Sequence, residues 1–258
     1  MEFSNKYIFC FSLLLCLVCS LAVASVHDEL KDRQVKNAQQ DQQSQVLQAA
    51  GILAPGEKIT SEEIEEHFTK IKALLVSRET GESEVVAITS EEFKQDPRSV
   101  AKTADGGVDA PEKEAKATGV RRIAKKLRVF EVNVPGHECL VLEISGNGLW
   151  STLLGYIALS PDTREVRGIT YYSHKETPGL GGEVDNPKWK AQWKDKLALG
   201  EDGEVLVEVV KGAATDTERE IDGLAGATIT SRGVDSMLKL WLGEHGYGPF
   251  LKAKRGAL

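Results

Sequence analysis

Three short glycine-bearing segments in the C-terminal half hold most of the residues whose types and spacing could do chemistry. The first is Gly146-Asn147-Gly148-Leu149-Trp150-Ser151, where two glycines allow a close backbone approach and a large aromatic follows. A tight turn with Trp150 plugging the core is the ordinary alternative. The second, Glu176-Thr177-Pro178-Gly179-Leu180-Gly181-Gly182, offers backbone amides to a polar ring edge and Leu180 to a flat face, and it also reads as a simple Pro-Gly turn. The third, Asp222-Gly223-Leu224-Ala225-Gly226-Ala227-Thr228-Ile229-Thr230-Ser231, leads into an amphipathic stretch carrying Val234, Met237, Leu238 and Trp241. Hydroxyls at a helix start lie where free amides and the positive end of the helix dipole accept a phosphate. Their commonest task at such a position, however, is to cap the helix. The glycine spacings match neither a P-loop nor the dinucleotide fingerprint.

Several function classes fall away on composition. A formal charge of -7 and the lack of a long Lys/Arg block argue against nucleic-acid binding, which needs cations to neutralise phosphates. Cys10, Cys16 and Cys19 lie in the first apolar run, leaving Cys139 without an intradomain disulfide partner. His27, His67, His137, His174 and His245 are scattered without metal-ligand spacing, so no metal site is expected. No catalytic acid, base or nucleophile is assigned.

The elements that must position the three segments follow an apolar start. Tyr7 to Val26 carries no charge, and about 20 such residues suffice for a bilayer-spanning helix. A cleaved signal peptide competes, because Ala22-Val23-Ala24 is small. Signal peptides, though, carry only about 7–15 apolar residues, so the run reads as an anchor with residues 1–6 inside and the rest translocated. A polar, Gln-rich helix is expected over His27 to Gln48, closed by Gly51. Another starts at Thr60 or Ser61 and runs through Ile64, Phe68, Ile71 and Leu75, which share one helical face. Glu79 to Lys116 is charged and rich in breakers, and gives the expected division into a leader, 27–116, and a main domain, 117–258. Strands are predicted over Leu127–Val134, Glu138–Ile144, Thr152–Leu159, Glu165–Tyr172 and Glu204–Val210, with a helix carrying Trp189 and Trp193. The expected fold is α+β, a largely antiparallel sheet with flanking helices, preceded by one N-terminal transmembrane helix.

The third segment resembles the flavinylation motif D-G-x-(S/A)-G-A-T, whose final Thr is joined to FMN through a phosphoester; Ala225 takes the position where Ser is more frequent. With Gly148-Leu149-Trp150-Ser151 and Glu176-Thr177-Pro178-Gly179-Leu180-Gly181, the chain is similar over nearly its whole length to the NqrC family, a subunit of sodium-translocating NADH:quinone oxidoreductases. The homologous flavin-bearing subunit of Rnf ferredoxin:NAD complexes shares the pattern, but the paired ETPGLG and GLWS forms and the helical leader favour the quinone reductase. The resemblance implies covalent FMN on Thr228. Its implied flavin contacts are Gly226, Ala227, Gly148, Leu149, Trp150, Ser151, Glu176, Thr177, Gly179 and Leu180, while Asp222 and Gly223 would serve recognition by a flavin transferase. A Thr hydroxyl is a poor nucleophile with no obvious base nearby, which fits attachment by that separate, magnesium-dependent enzyme, using FAD. Also implied are partnership with the other subunits of the complex, electron relay towards quinone, and a single-pass place in a bacterial inner membrane with the C-terminal part in the periplasm.

Overall fold

The computed structural model describes residues 4–57 and 59–256; of the stretch 1–6 expected on the cytoplasmic side of the membrane, residues 1–3 lie outside the described residues. Helix α1 runs unbroken over Asn5–Ala49, so the expected anchor and polar leader form one helix. Its part from Asn5 to Lys31 is long and apolar enough to cross a membrane, and Phe9, Leu13, Leu14 and Leu17 on it are exposed. At its other end the Ile52 amide donates to the Leu47 carbonyl (2.9 Å) and that of Gly51 to Gln48 (3.0 Å), with Gly51 at φ +72°. This left-handed stop needs glycine.

Contacts divide the chain into one compact unit up to Gln42 and another from Gln43 onward. The second unit is built on an antiparallel sheet: β1 (Ile71–Ser77), β2 (Ser83–Val86), β5 (Lys126–Val132), β6 (Cys139–Asn147), β7 (Thr152–Leu159) and β8 (Val166–Ser173), in the order β2-β1-β5-β6-β7-β8. Helix α2 (Ser61–Phe68) precedes it, while α3 (Glu91–Lys94), α4 (Pro97–Lys102), β3 (Gly107–Asp109), α5 (Glu112–Thr118) and β4 (Arg122–Ala124) fill the stretch between β2 and β5. After β8 come α6 (Pro187–Ala191), β9 (Glu208–Val209), β10 (Glu220–Ile221), α7 (Thr228–Leu242) and α8 (Gly248–Arg255).

Both faces of the sheet are covered. Alternate residues explain how: on β6, Leu140, Leu142 and Ile144 join a core with Val234, Met237 and Leu238 of α7, whereas Cys139 and Val141 join Leu47, Ile64 and Phe68 on the other side. Burial pushes the Cys139 thiol up to about 12, leaving it a small apolar filler.

Four expected strands are present within a few residues of their predicted bounds, but three expectations change. Helix α2 starts with a reciprocal capping box between Thr60 and Glu63, yet ends at Phe68. Ile71 and Leu75 lie instead on β1, where every residue from Ile71 to Ser77 pairs with β5. Partners distant in sequence override the local helical spacing. The sheet thereby crosses the division expected between residues 116 and 117. Of Glu204–Val210, only Glu208 and Val209 form a strand, paired in parallel with β10.

Candidate functional site

The three glycine-bearing segments meet at one end of the central strands. The first forms the turn between β6 and β7, closed by the Gly148 amide donating to the Ser151 carbonyl (2.8 Å). The second follows β8, and its Thr177 carbonyl accepts from Leu180 (3.1 Å) and Gly182 (2.9 Å). Gly179 sits there at φ +76°, as the second central residue of a Pro-Gly turn requires. The third leads into α7, which packs on β6.

Glu176 joins them. Its carboxylate accepts from the amides of Leu149 (3.1 Å), Trp150 (2.9 Å) and Ser151 (3.1 Å) in the first segment, and from the Thr230 hydroxyl (2.7 Å) in the third. The side chain is 6% exposed. Burial alone pushes its carboxyl up, but the Thr230 hydroxyl and the three amides outweigh this and hold it below the ordinary carboxylate value. A Cβ at Gly148 would stand 2.6 Å from Glu176 Oε1, and one at Gly181 2.5 Å from Oε2. These two glycines therefore make room for the acid.

Neighbouring groups fix the approach. The His174 ring accepts the Glu176 amide at Nδ1 (3.2 Å) and lies 2.7 Å from Asp185 through Nε2. Ser151 Oγ accepts from the Lys175 amide (2.7 Å), tying the first segment to the second once more.

Thr228 is the first residue of α7 and half-buried; the residue flanking the helix is Ala227, which provides no side-chain cap. The hydroxyls thus do not cap in the expected way. Thr230 turns inward to Glu176, and Ser231 Oγ accepts from the Leu224 amide (2.9 Å) while donating to the Ala227 carbonyl (3.1 Å). A helix leaves its first amides without intrahelical partners, so those of Thr228, Ile229 and Thr230 stand at the positive end of the dipole. Such amides suit a phosphate.

Around this start lies an apolar surface. Trp150 is 71% exposed, excluding the core-plug alternative, and Leu149, Leu180 and Ile229 are exposed as well. Leu180 lies over the turn before α7: a Cβ on Gly226, itself at φ +72°, would come 2.9 Å from Leu180 Cδ2. The donor set and exposed flat side chains fit a phosphorylated aromatic ring system. Thr177 and Gly179 are on the exposed rim of the second segment.

Asp222 and Gly223 have internal duties. The Asp222 carboxylate accepts from the Ala214 amide (2.7 Å) and its carbonyl from Trp189 Nε1 (2.8 Å). Gly223 lies against the Val210 carbonyl, 2.4 Å from where a Cβ would stand. Thr230 and Ser231 stood in the third segment as hydroxyls at a helix start, but sequence reasoning did not find their partners, Glu176 for one and the Leu224 amide for the other.

An FMN-binding domain family matches residues 148–243, a span holding the second and third segments and residues 148–151 of the first. The NqrC subunit of the Na(+)-translocating NADH-quinone reductase of Yersinia pestis is 39% identical, the match covering 95% of this chain and 91% of that one. Its counterpart in Pseudomonas aeruginosa is 38% identical over 93% and 92% of the two chains. Among solved structures, the crystal structure of Shewanella oneidensis NqrC superimposes with a TM-score of 0.73 at 30% identity, covering 86% of this chain and 99% of that one. With identity at this level over nearly the whole length, and the three segments brought to one place, the chain belongs to the NqrC family of Na+-translocating NADH-quinone reductase subunits.

Proposed function

We propose that this chain is the electron-transfer subunit of a sodium-translocating NADH:quinone reductase, working with the other subunits of that complex, and that Thr228 carries FMN through a phosphoester. The observation that supports it most is the convergence of three distant segments on the uncapped start of α7, in a chain whose relatives bear that subunit's name.

Attachment requires the Thr228 oxygen to attack the FMN phosphorus of FAD. The new bond is Thr228 Oγ–P, the pyrophosphate P–O bond breaks, AMP leaves and the hydroxyl proton is released. A threonine hydroxyl is a poor nucleophile at neutral pH, which supports a separate flavin transferase as the agent. The first-turn amides of residues 228–230 would bind the phosphate, with Gly226 and Ala227 leaving access. Leu149, Trp150 and Leu180 would flank the ring. FMN supplies the reversible redox chemistry, while the protein sets its place and surroundings.

The apolar part of α1, residues 7–26, would span the inner membrane once, placing the flavin-bearing unit in the periplasm. The test is expression of the full chain with a flavin transferase and an export route. The wild-type band should fluoresce after denaturing electrophoresis, and the Thr228→Val band should not. A fluorescent Thr228→Val band refutes the attachment.

A further inference from the structure

Glu176 belongs to the second glycine-bearing segment and bonds the other two, yet none of its four hydrogen-bond donors is a cation: three are backbone amides and the fourth is a hydroxyl. A buried charge is tolerated only where such donors converge on it. Three successive amides aimed at one point form an anion nest, and here the anion comes from the chain itself. Thr230 stands two residues beyond Thr228 in the same helical turn. Any shift of its hydroxyl moves the acceptor with it.

We propose that Glu176 is the positioning residue of the flavin-acceptor site: its ionised carboxylate locks the first turn of α7, and with it the Thr228 hydroxyl, against the loop of residues 148–151. This rests on the reading of Thr228 as the acceptor and gives Glu176 a task different from direct flavin contact. Each of its two oxygens already accepts from two protein donors. A Cβ at Gly148 or Gly181 would collide with one of its oxygens, so the carboxylate fills the space that these two glycines leave. The acid also puts a fixed negative charge beneath the exposed apolar surface.

The experiment uses the full chain in detergent with FAD, magnesium and a flavin transferase, comparing wild type with Glu176→Gln, Thr230→Val and Thr230→Ser. Glutamine keeps the shape but loses the charge and turns an N–H group towards a donor. Glu176→Gln should fold and accept flavin roughly tenfold more slowly, the scale expected when a charge-assisted hydrogen bond is lost. In the unloaded chain, hydrogen exchange of the Leu149, Trp150 and Ser151 amides should quicken. The midpoint potential of the flavin that does attach should rise, because a nearby negative charge has gone. Thr230→Val, which keeps the charge but loses the tie, should slow attachment in the same way, and Thr230→Ser should restore the wild-type rate.

A folded Glu176→Gln chain with wild-type attachment rate and potential overturns the proposal. Should Glu176→Gln not fold, a wild-type attachment rate in Thr230→Val overturns it equally. Equal labelling of wild type and Thr228→Val instead overturns the acceptor reading, and this proposal with it. That failure is recognisable because the amide exchange of residues 149–151 would still respond to Glu176.

Discussion

Replacing Gly148 by alanine should destabilise the protein through one contact. Gly148 has no positive φ, so backbone strain contributes nothing. The added methyl would lie 2.6 Å from Glu176 Oε1 and 2.7 Å from Cδ, well inside van der Waals contact. The carboxylate cannot retreat without stretching bonds to Leu149, Trp150, Ser151 and Thr230. Overpacking of this kind costs about 1–3 kcal/mol. Taking about 2 kcal/mol, and roughly 2–4 °C per kcal/mol for a domain this large, the melting temperature should fall by about 4–8 °C. The assay is thermal unfolding of the unloaded full chain in detergent, followed by circular dichroism. A double-mutant cycle sharpens it: in a Glu176→Ala background the methyl has nothing to strike, so the two changes should couple by about 0.5–3 kcal/mol. Melting of Gly148→Ala within a degree or two of wild type, or strict additivity with Glu176→Ala, would refute the crowding of this glycine by the acid.

Glu143→Ala should cost about 3–5 kcal/mol in denaturant unfolding, because it strands the nearly buried Arg128 guanidinium, which bonds Glu143 at 2.6 and 2.8 Å, and removes the acceptor of the Tyr172 hydroxyl. Acid titration should expose Glu176. Since its carboxyl is lowered in the fold, its contribution is present above the ordinary glutamate value and is lost as pH falls through the lowered one, so Glu176→Gln should flatten the acid limb of the stability curve. Trp150→Ala removes an exposed side chain and should change stability by less than about 0.5 kcal/mol, while shifting the absorption of attached flavin; a large loss of stability would place Trp150 in the core after all.

Strands β5 to β8 could be read from the sequence because alternating apolar residues there face covered sides of one sheet and turn residues separate them. Helix α7 was equally plain from Val234, Met237, Leu238 and Trp241, all buried. Strand β1 was not: Ile64, Phe68, Ile71 and Leu75 keep helical spacing, and only pairing with β5, 49 to 61 residues away, shows where the helix ends. The three segments were recognisable as motifs, but the acid at their centre was hidden. Followed by Thr-Pro-Gly, Glu176 looks like part of a turn, and the donors that define its role lie 25 to 54 residues away. Local sequence likewise favoured a capping hydroxyl at Thr228, whereas the fold gives the flanking place to Ala227.

That placement bears on the order of events in biogenesis. Thr228 is wound into the first turn of a helix packed on the central sheet, and its neighbour Thr230 is anchored inward. A hydroxyl held so cannot be handed to a modifying enzyme as an extended strand, in the way a protease takes its substrate. If Thr228 is the acceptor, the transferase must recognise a finished surface, and only chains that have already folded will be loaded. Flavin content would then double as a record of correct folding.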